Sequence, residues 1–386
     1  MNAFAIAFGV ASALLIYTAV NVYIGRRLYQ GLKRVAPRLK GRAFGWTYGA
    51  VAAAFLLSYL PLPEAVRWPA LEFGGWWMGI WCYLLMGFVA ADFLLAIGRL
   101  ARLIPSPVPP SVRFGAWLIA VLLTAGFAGY GGWHATQIQE VRYEVKRDDA
   151  EAGAPPLRIA LISDLHLGAA RSESRLEEIV ARINRMEPDL VVMAGDIFND
   201  DFTAIRNPER ASGLLRQLEA RYGVYASLGN HDAGRTLPEM LEFLEDSGVT
   251  VLMEEHVVID GRFVLIGRLD PSPIGGYGDR VRMPTDELLA GLEGVDPALP
   301  RIVLDHTPSR LGQYGDKVDL ILSGHTHRGQ IFPANLVTRL LYEVDYGYLK
   351  KGPAGPHVIV TSGVGTWGMP MRVATDCEIV EIVLTF

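Results

Sequence analysis

The fold is decided by the stretch that opens on Leu161-Ile162-Ser163-Asp164-Leu165-His166 and closes on Ser323-Gly324-His325-Thr326-His327. Five short clusters of oxygen and nitrogen ligands lie along it: Asp164 with His166, Gly195-Asp196, Gly229-Asn230-His231-Asp232, Asp305-His306, and Gly324-His325-Thr326-His327. Each follows an apolar run of strand length, namely Leu157 to Ser163, Leu190 to Ala194, Val224 to Leu228, Ile302 to Leu304 and Leu320 to Ser323. In α/β proteins the loops at the carboxyl edge of a sheet converge from strands far apart in sequence, so ligands at five strand ends predict one site. Carboxylate, imidazole and amide oxygen, without thiolate, suit a borderline divalent cation such as Mn, Fe, Zn or Ni. One carboxylate between two such ions can bridge them, and the clusters read as a two-metal centre. A lone D-x-H or G-D is ordinary loop polarity; G-N-H-D and G-H-T-H at strand ends in the same chain are not.

These residues resemble the calcineurin-like metallophosphoesterase family, whose pattern is D-x-H, G-D, G-N-H-D/E, a lone H and G-H-x-H. All five elements occur in order. The resemblance covers residues 157 to 386, and within it implies a four-layer α/β/β/α sandwich with two mixed sheets. It also implies that one metal takes Asp164, His166 and His327, that the other takes Asn230, His306 and His325, and that Asp196 bridges them. His231 is left as a general acid, with Asp232 expected to orient it. Two divalent ions about 3.5 to 4 Å apart can bridge a hydroxide and lower its pKa towards neutrality. The implied reaction is hydrolysis of a phosphoester by metal-hydroxide attack, without a covalent phosphoenzyme. Asp305 departs from the small polar residue of the family pattern and reads equally as a partner of a ligand or a turn residue. Asn199, Asp200 and Asp201 read as solvated loop residues, while Arg328 and Gln330 are weaker candidates to meet substrate oxygens. Arg372 lies in Gly368-Met369-Pro370-Met371-Arg372, a tail resembling that of bacterial membrane-anchored members. His256 and His357 have no partner motif and read as structural.

Upstream the composition changes. Residues 1 to 139 carry 11 Lys/Arg and three acids, a charge of +8, whereas residues 140 to 386 carry 25 Lys/Arg and 38 acids, a charge of −13. Four charge-free apolar stretches fill the first part: Met1 to Gly25, Ala43 to Pro63, Phe73 to Ala91 and Phe114 to Gln139. Each can cross about 30 Å of hydrocarbon as a helix of roughly 20 residues. The expected organisation is a four-helix transmembrane region over 1–134, a linker over 135–156 and the phosphoesterase domain over 157–386. Within the join, Gln137 to Lys146 alternates as a strand does. Met1 to Gly25 lacks the positive n-region and cleavage site of a removable signal peptide, so it is expected to stay as a helix. Trp46, Trp68, Trp76, Trp77, Trp81, Trp117 and Trp133 fall mostly near span ends, as interfacial anchors do. Asp92, inside the third span, reads as a snorkelling or paired structural carboxylate. Cys82 and Cys377 have no evident disulfide partner.

Loop charge sets the expected orientation. Ten basic residues lie between spans one and two or three and four, against Arg67 alone between spans two and three. That places the basic loops in the cytoplasm, and both termini and the catalytic domain outside a cell membrane crossed several times. A join of about twenty residues reaches at most roughly 70 Å, which keeps the catalytic edge near the bilayer. The expected substrate is therefore an envelope or lipid-linked phosphoester. The rival reading is a cytoplasmic-facing pyrophosphatase of a nucleotide-linked lipid intermediate of the lipid A type; a non-catalytic transport or signalling module is disfavoured by the complete ligand set. Nucleic acid is not an expected partner, since a domain of charge −13 lacks the basic footprint.

After Asp164, Ser174 to Met186 is an expected helix, with Ser174 and Glu177 as a capping box. Further helices are expected over Arg210 to Arg221 and Pro238 to Asp246. The runs Thr250 to Ile259, Phe263 to Leu269, Val358 to Ser362 and Glu378 to Phe386 are expected as a second group of strands.

Overall fold

A computed structural model describes residues 3–57, 60, 63–147, 155–170 and 172–386. It forms two compact units, Met1–Tyr130 and Gly131–Phe386.

The first unit is helical: α1 (Ala3–Val35), α2 (Gly41–Leu57), α3 (Glu64–Leu100) and α4 (Pro110–His134), whose last turn belongs to the second unit. Among the described residues three helices are long and apolar enough to cross a membrane: Ala7–Val35, Ala65–Leu100 and Pro110–His134. The stretch expected as a second span overlaps α2, which is 17 residues long and begins two residues before it at Gly41; residues 58–59 and 61–62 of that stretch lie outside the described residues. The first helix runs ten residues past Gly25, so Arg26, Arg27, Lys33 and Arg34 ride on its final turns rather than in a loop. Asp92 is paired: its carboxylate meets the Arg27 guanidinium and accepts from the Tyr23 hydroxyl at 2.7 Å.

In chain order the second unit continues β1 (Ile138–Lys146), β2 (Leu157–Ile162), α5 (Leu176–Arg185), β3 (Leu190–Ala194), α6 (Pro208–Leu215), β4 (Val224–Ser227), α7 (Leu237–Asp246) and β5 (Val249–Val251). There follow β6 (Glu255–Ile259), β7 (Phe263–Gly267), α8 (Thr285–Ala290), β8 (Arg301–Leu304), β9 (Leu320–Ser323), α9 (Ala334–Leu341), β10 (Gly347–Lys350), β11 (His357–Val360) and β12 (Cys377–Thr385). Two six-stranded mixed sheets result, ordered β1-β12-β2-β3-β4-β5 and β10-β11-β9-β8-β7-β6. The inner strands are apolar at successive positions because both faces are covered. Leu157, Ile159, Leu161, Leu190 and Val192 of the first sheet share one core with Leu265, Ile302, Leu304, Leu320 and Leu322 of the second. The opposite face of the first sheet packs under α5, α6 and α7 through Ile179, Ile183, Leu215, Met240 and Leu244.

The strand read in Gln137 to Lys146 is β1, which pairs in parallel with β12 from Ile138↔Cys377 to Lys146↔Thr385; residues 148–154 lie outside the described residues. Other details differ from expectation. The run Glu378 to Phe386, expected in the second group of strands, forms β12 of the first sheet, and the helix expected over Arg210 to Arg221 is α6, which ends at Leu215. The helix after Asp164 starts at Leu176, with Arg175 as its N-cap and no side-chain cap bond; Glu177 instead meets Arg210 at 3.1 Å. The single strand expected over Thr250 to Ile259 divides between the sheets. Its break is at Glu254, with φ of +59°, whose carboxylate accepts from the Leu269 and Met283 amides at 2.6 and 3.1 Å.

Candidate metal centre

Strands β2, β3 and β4 run parallel, as do β8 and β9, so the loops leaving their carboxyl ends emerge along one edge of each sheet. All seven residues implied as metal ligands sit on those loops. Five of them take left-handed backbone conformations: Asp164, His166, Asp196, His325 and His327, with φ of +56°, +48°, +51°, +69° and +47°. A non-glycine residue there costs on the order of 1–2 kcal/mol, a strain typical of sites where side-chain aim outranks backbone comfort. The motif glycines serve close approach. A Cβ at Gly229 would strike the carboxylate and amide of Asp196, and one at Gly324 would strike the Ser163 hydroxyl and the Asp164 carboxylate.

The ligand atoms fall into two groups, each within 4.8 Å: Asp164, His166 and His327, and Asp196, His306 and His325. Asn230 joins the second, its Oδ1 lying 2.9 Å from His325 Nδ1. Asp196 faces both. Its Oδ2 is 3.1 Å from His306 Nε2, 3.8 Å from His166 Nε2 and 4.0 Å from His231 Nε2, while its Oδ1 accepts the His231 backbone amide at 2.9 Å. One oxygen is thus committed to the loop and the other to the centre.

Electrostatics tests whether cations fit. His306 donates from Nδ1 to the Ala194 carbonyl at 2.7 Å, which leaves Nε2 as the nitrogen turned to the centre. That nitrogen is buried without a hydrogen-bond partner, against the Asp196 carboxylate. A lone pair facing an anion demands a positive charge between them. Burial opposes that charge, but Asp196 outweighs it and holds His306 well above the ordinary imidazole range. Conversely, burial resists ionisation of Asp196, yet the imidazoles of His306, His166 and His231 hold it below the usual carboxylate range. In the other group His166 and His327 face each other through Nε2 at 3.0 Å. Burial pushes His166 down to about 3 and His327 well below its usual value, so both are neutral donors. Burial raises Asp164 to about 6. This donor set fits two divalent cations.

The expected orienter of His231 is corrected. Asp232 does not touch the imidazole; its carboxylate accepts the amides of Gly229, Ile197 and Phe198 at 2.9, 3.2 and 2.7 Å, tying the β3 and β4 loops together. Position explains this, because the residue after His231 turns back under the loop. The imidazole partner is Asp200, with Oδ1 2.6 Å from His231 Nδ1. Burial would depress His231, but Asp200 and Asp196 raise it above its usual value.

Asp305, read equally as a partner of a ligand or a turn residue, supports the His306 loop. It binds both Arg282 terminal nitrogens at 2.8 Å and accepts from Tyr314 at 2.6 Å, anchoring the loop that carries His306. Gln330 is spent on structure, clamping Trp367 and Met369 through their backbones. Arg328 stacks over Tyr346 with 4.3 Å to the ring centroid. Two contacts escaped sequence reasoning: that of Arg372, which the sequence placed only in a family-like tail, and that of Trp367. Arg372 is fully buried, and its guanidinium reaches His327 Nδ1 at 3.1 Å and the carbonyls of His327, Ser362, Gly363 and Gly365. Trp367, 5.9 Å from the His231 ring, lines the mouth of a 300 Å³ cavity with Asp196, His325, His327 and Gln330.

Imidazoles and carboxylates buried and turned inward at strand ends define a hydrolase that works through divalent cations. Comparison with known proteins narrows that class. Residues 157–329 match the calcineurin-like phosphoesterase family. The chain is 34% identical over 267 residues to a metallophosphoesterase of Aquifex aeolicus (strain VF5), covering 69% of this chain and 97% of that protein. It is 31% identical over 320 residues to a "transmembrane protein with metallophosphoesterase domain" of Danio rerio, covering 80% and 72%. A protein of the same description from Bos taurus is 30% identical over 284 residues, covering 69% and 62%. The chain belongs to the calcineurin-like phosphoesterase family and is a metal-dependent phosphoester hydrolase.

Proposed function

We propose that this chain is a membrane-anchored, dinuclear phosphoesterase that hydrolyses an envelope or lipid-linked phosphoester at the extracytoplasmic face. We read its catalytic unit as a four-layer sandwich and its anchor as four spans. When bound by Asp164, His166 and His327 and by Asn230, His306 and His325, with Asp196 facing both sets, two divalent cations supply positive charge to the phosphoryl oxygens and acidify the attacking water. His231 presents Nε2 to the cavity and protonates the leaving oxygen. Asp200 accepts from its Nδ1, fixing the ring and favouring the protonated form. Asp232 holds the two loops that carry Asp196 and His231 in register, and Trp367 keeps bulk water from one side of the leaving group.

The observation that carries this reading is the placement of His231, with Asp200 at 2.6 Å on one nitrogen and the cavity on the other. A leaving-group series of aryl phosphates tests it. His231→Ala should lose most rate on the poorest leaving groups, and an equal loss across the series overturns the assignment.

Orientation rests on the ten-to-one bias of basic residues. In a background with both native cysteines replaced, Glu239→Cys on α7 should react with an impermeant thiol reagent in intact cells, and Arg38→Cys should not. The reverse pattern places the centre in the cytoplasm. Support for a lipid-linked substrate comes from an anchor larger than attachment requires, since one inserted helix already suffices.

A further inference from the structure

Helix α9 is built the wrong way round for a water-soluble surface. Its one buried residue is polar Asn335, whereas Leu336, Val337, Leu340 and Leu341 are 49, 53, 86 and 73% exposed. Their spacing puts all four on one side of the helix. Phe332, just before it, and Trp367, at the cavity mouth, are also exposed. The helix is firmly held in this attitude. A Cβ at Gly329 would strike the backbone of Ala334 and Asn335, so the start of α9 packs directly on the turn after His327. On its other side Thr338 donates to Asp345 at 2.6 Å. An apolar face this concentrated marks a contact surface.

The chain itself supplies the partner. Helix α4 is long and apolar enough to span a membrane, so its last turn marks a membrane surface. The Gly131 carbonyl in that turn accepts the Arg372 amide at 2.9 Å; the next residue, Val373, donates to Gln330 at 3.0 Å and accepts from Phe332 at 2.9 Å. Three backbone hydrogen bonds therefore connect the end of the span to the residues that lead into α9. Helices with an aliphatic face and a basic residue such as Arg339 settle at the headgroup boundary.

We propose that α9 lies in the membrane–water interface, with Leu336, Val337, Leu340 and Leu341 among the upper acyl carbons. The mouth bordered by Gly329, Gln330 and Trp367 then opens at headgroup level. Docking does not depend on the substrate; it deepens the lipid-linked reading above by giving a phosphoester in the bilayer a direct route to the centre, and only that consequence rests on the reading.

The test uses the full chain in proteoliposomes of phosphatidylcholine and phosphatidylglycerol, with Cys82 and Cys377 replaced by alanine. An environment-sensitive fluorophore is placed at Leu340→Cys and, as control, at Glu239→Cys. At Leu340→Cys, quenching by nitroxide lipids should be strong, and quenching by aqueous iodide at least about fivefold weaker than at the control. Free access of iodide overturns the proposal. So does protection from both quenchers, which would indicate a protein partner or a second copy. Leu336→Glu with Val337→Glu should move the label into water; persistence of lipid quenching in that variant overturns the assignment to this face. If the label is inserted but lipid phosphoesters are not hydrolysed, docking stands and the substrate reading falls.

Discussion

The two halves of the metal centre are held in opposite ways. Asp164, His166 and His327 form a half that packing assembles: its imidazoles are driven neutral by burial and backed by the Arg372 guanidinium. The half formed by Asn230, His306 and His325 is backed by an anion instead: burial drives His325 neutral as well, but the Asp196 carboxylate lies 3.1 Å from His306 Nε2 and favours positive charge there. One centre thus combines a rigid socket with an electrostatic clasp, and Asp196 couples them through a single oxygen.

Removing that oxygen's charge should have the largest effect. Asp196→Asn is expected to reduce aryl phosphate hydrolysis to background and to lower metal content in both halves, measured by elemental analysis of the purified protein. Retention of one tightly bound equivalent would break the coupling and show that the socket stands alone. Next comes His231→Ala, which belongs to neither half: it should keep its metal and lose about 10² to 10⁴-fold in rate on a poor leaving group. Loss of metal in that variant would make His231 part of the clasp. Arg372→Met sharpens the contrast, since the guanidinium touches only His327 among the ligands. Stepwise titration calorimetry should find one site weakened by about 10 to 100-fold and the other nearly unchanged; equal weakening would mean that the socket is not separately built. The smallest effect is expected for Asp200→Asn, whose carboxylate is 43% exposed. A rate loss of about tenfold, with normal metal content, is the outcome that a water-screened partner of the general acid predicts.

Much of the centre was legible because each ligand follows a strand with a pattern of its own. Runs such as Leu190 to Ala194 and Leu320 to Ser323 were read at their true bounds, since strands covered on both faces are continuously apolar. The residues that support the ligands were not legible. Arg372 reaches His327 from 45 positions away, out of a family-like tail that names no partner for it. Asp200 sits among three polar neighbours of equal appearance, and only the fold selects the one that meets His231. Adjacency misled for Asp232, which is next to His231 in sequence and serves the backbone instead. The division of Thr250 to Ile259 between two sheets turns on Glu254, whose buried partners lie on other segments.

The pairing of β1 with β12 bears on the order in which this protein can be made. Arg142 and Glu381 face each other across that pair although 239 positions separate them. The strand that follows the last membrane helix is therefore synthesised long before its neighbour. Throughout that interval it is an open template, and its alternation of charged and apolar side chains guards it against pairing with another nascent chain. The first sheet can close over β1 only after β12 has left the ribosome, so a strand made 239 positions later completes the sheet that β1 begins.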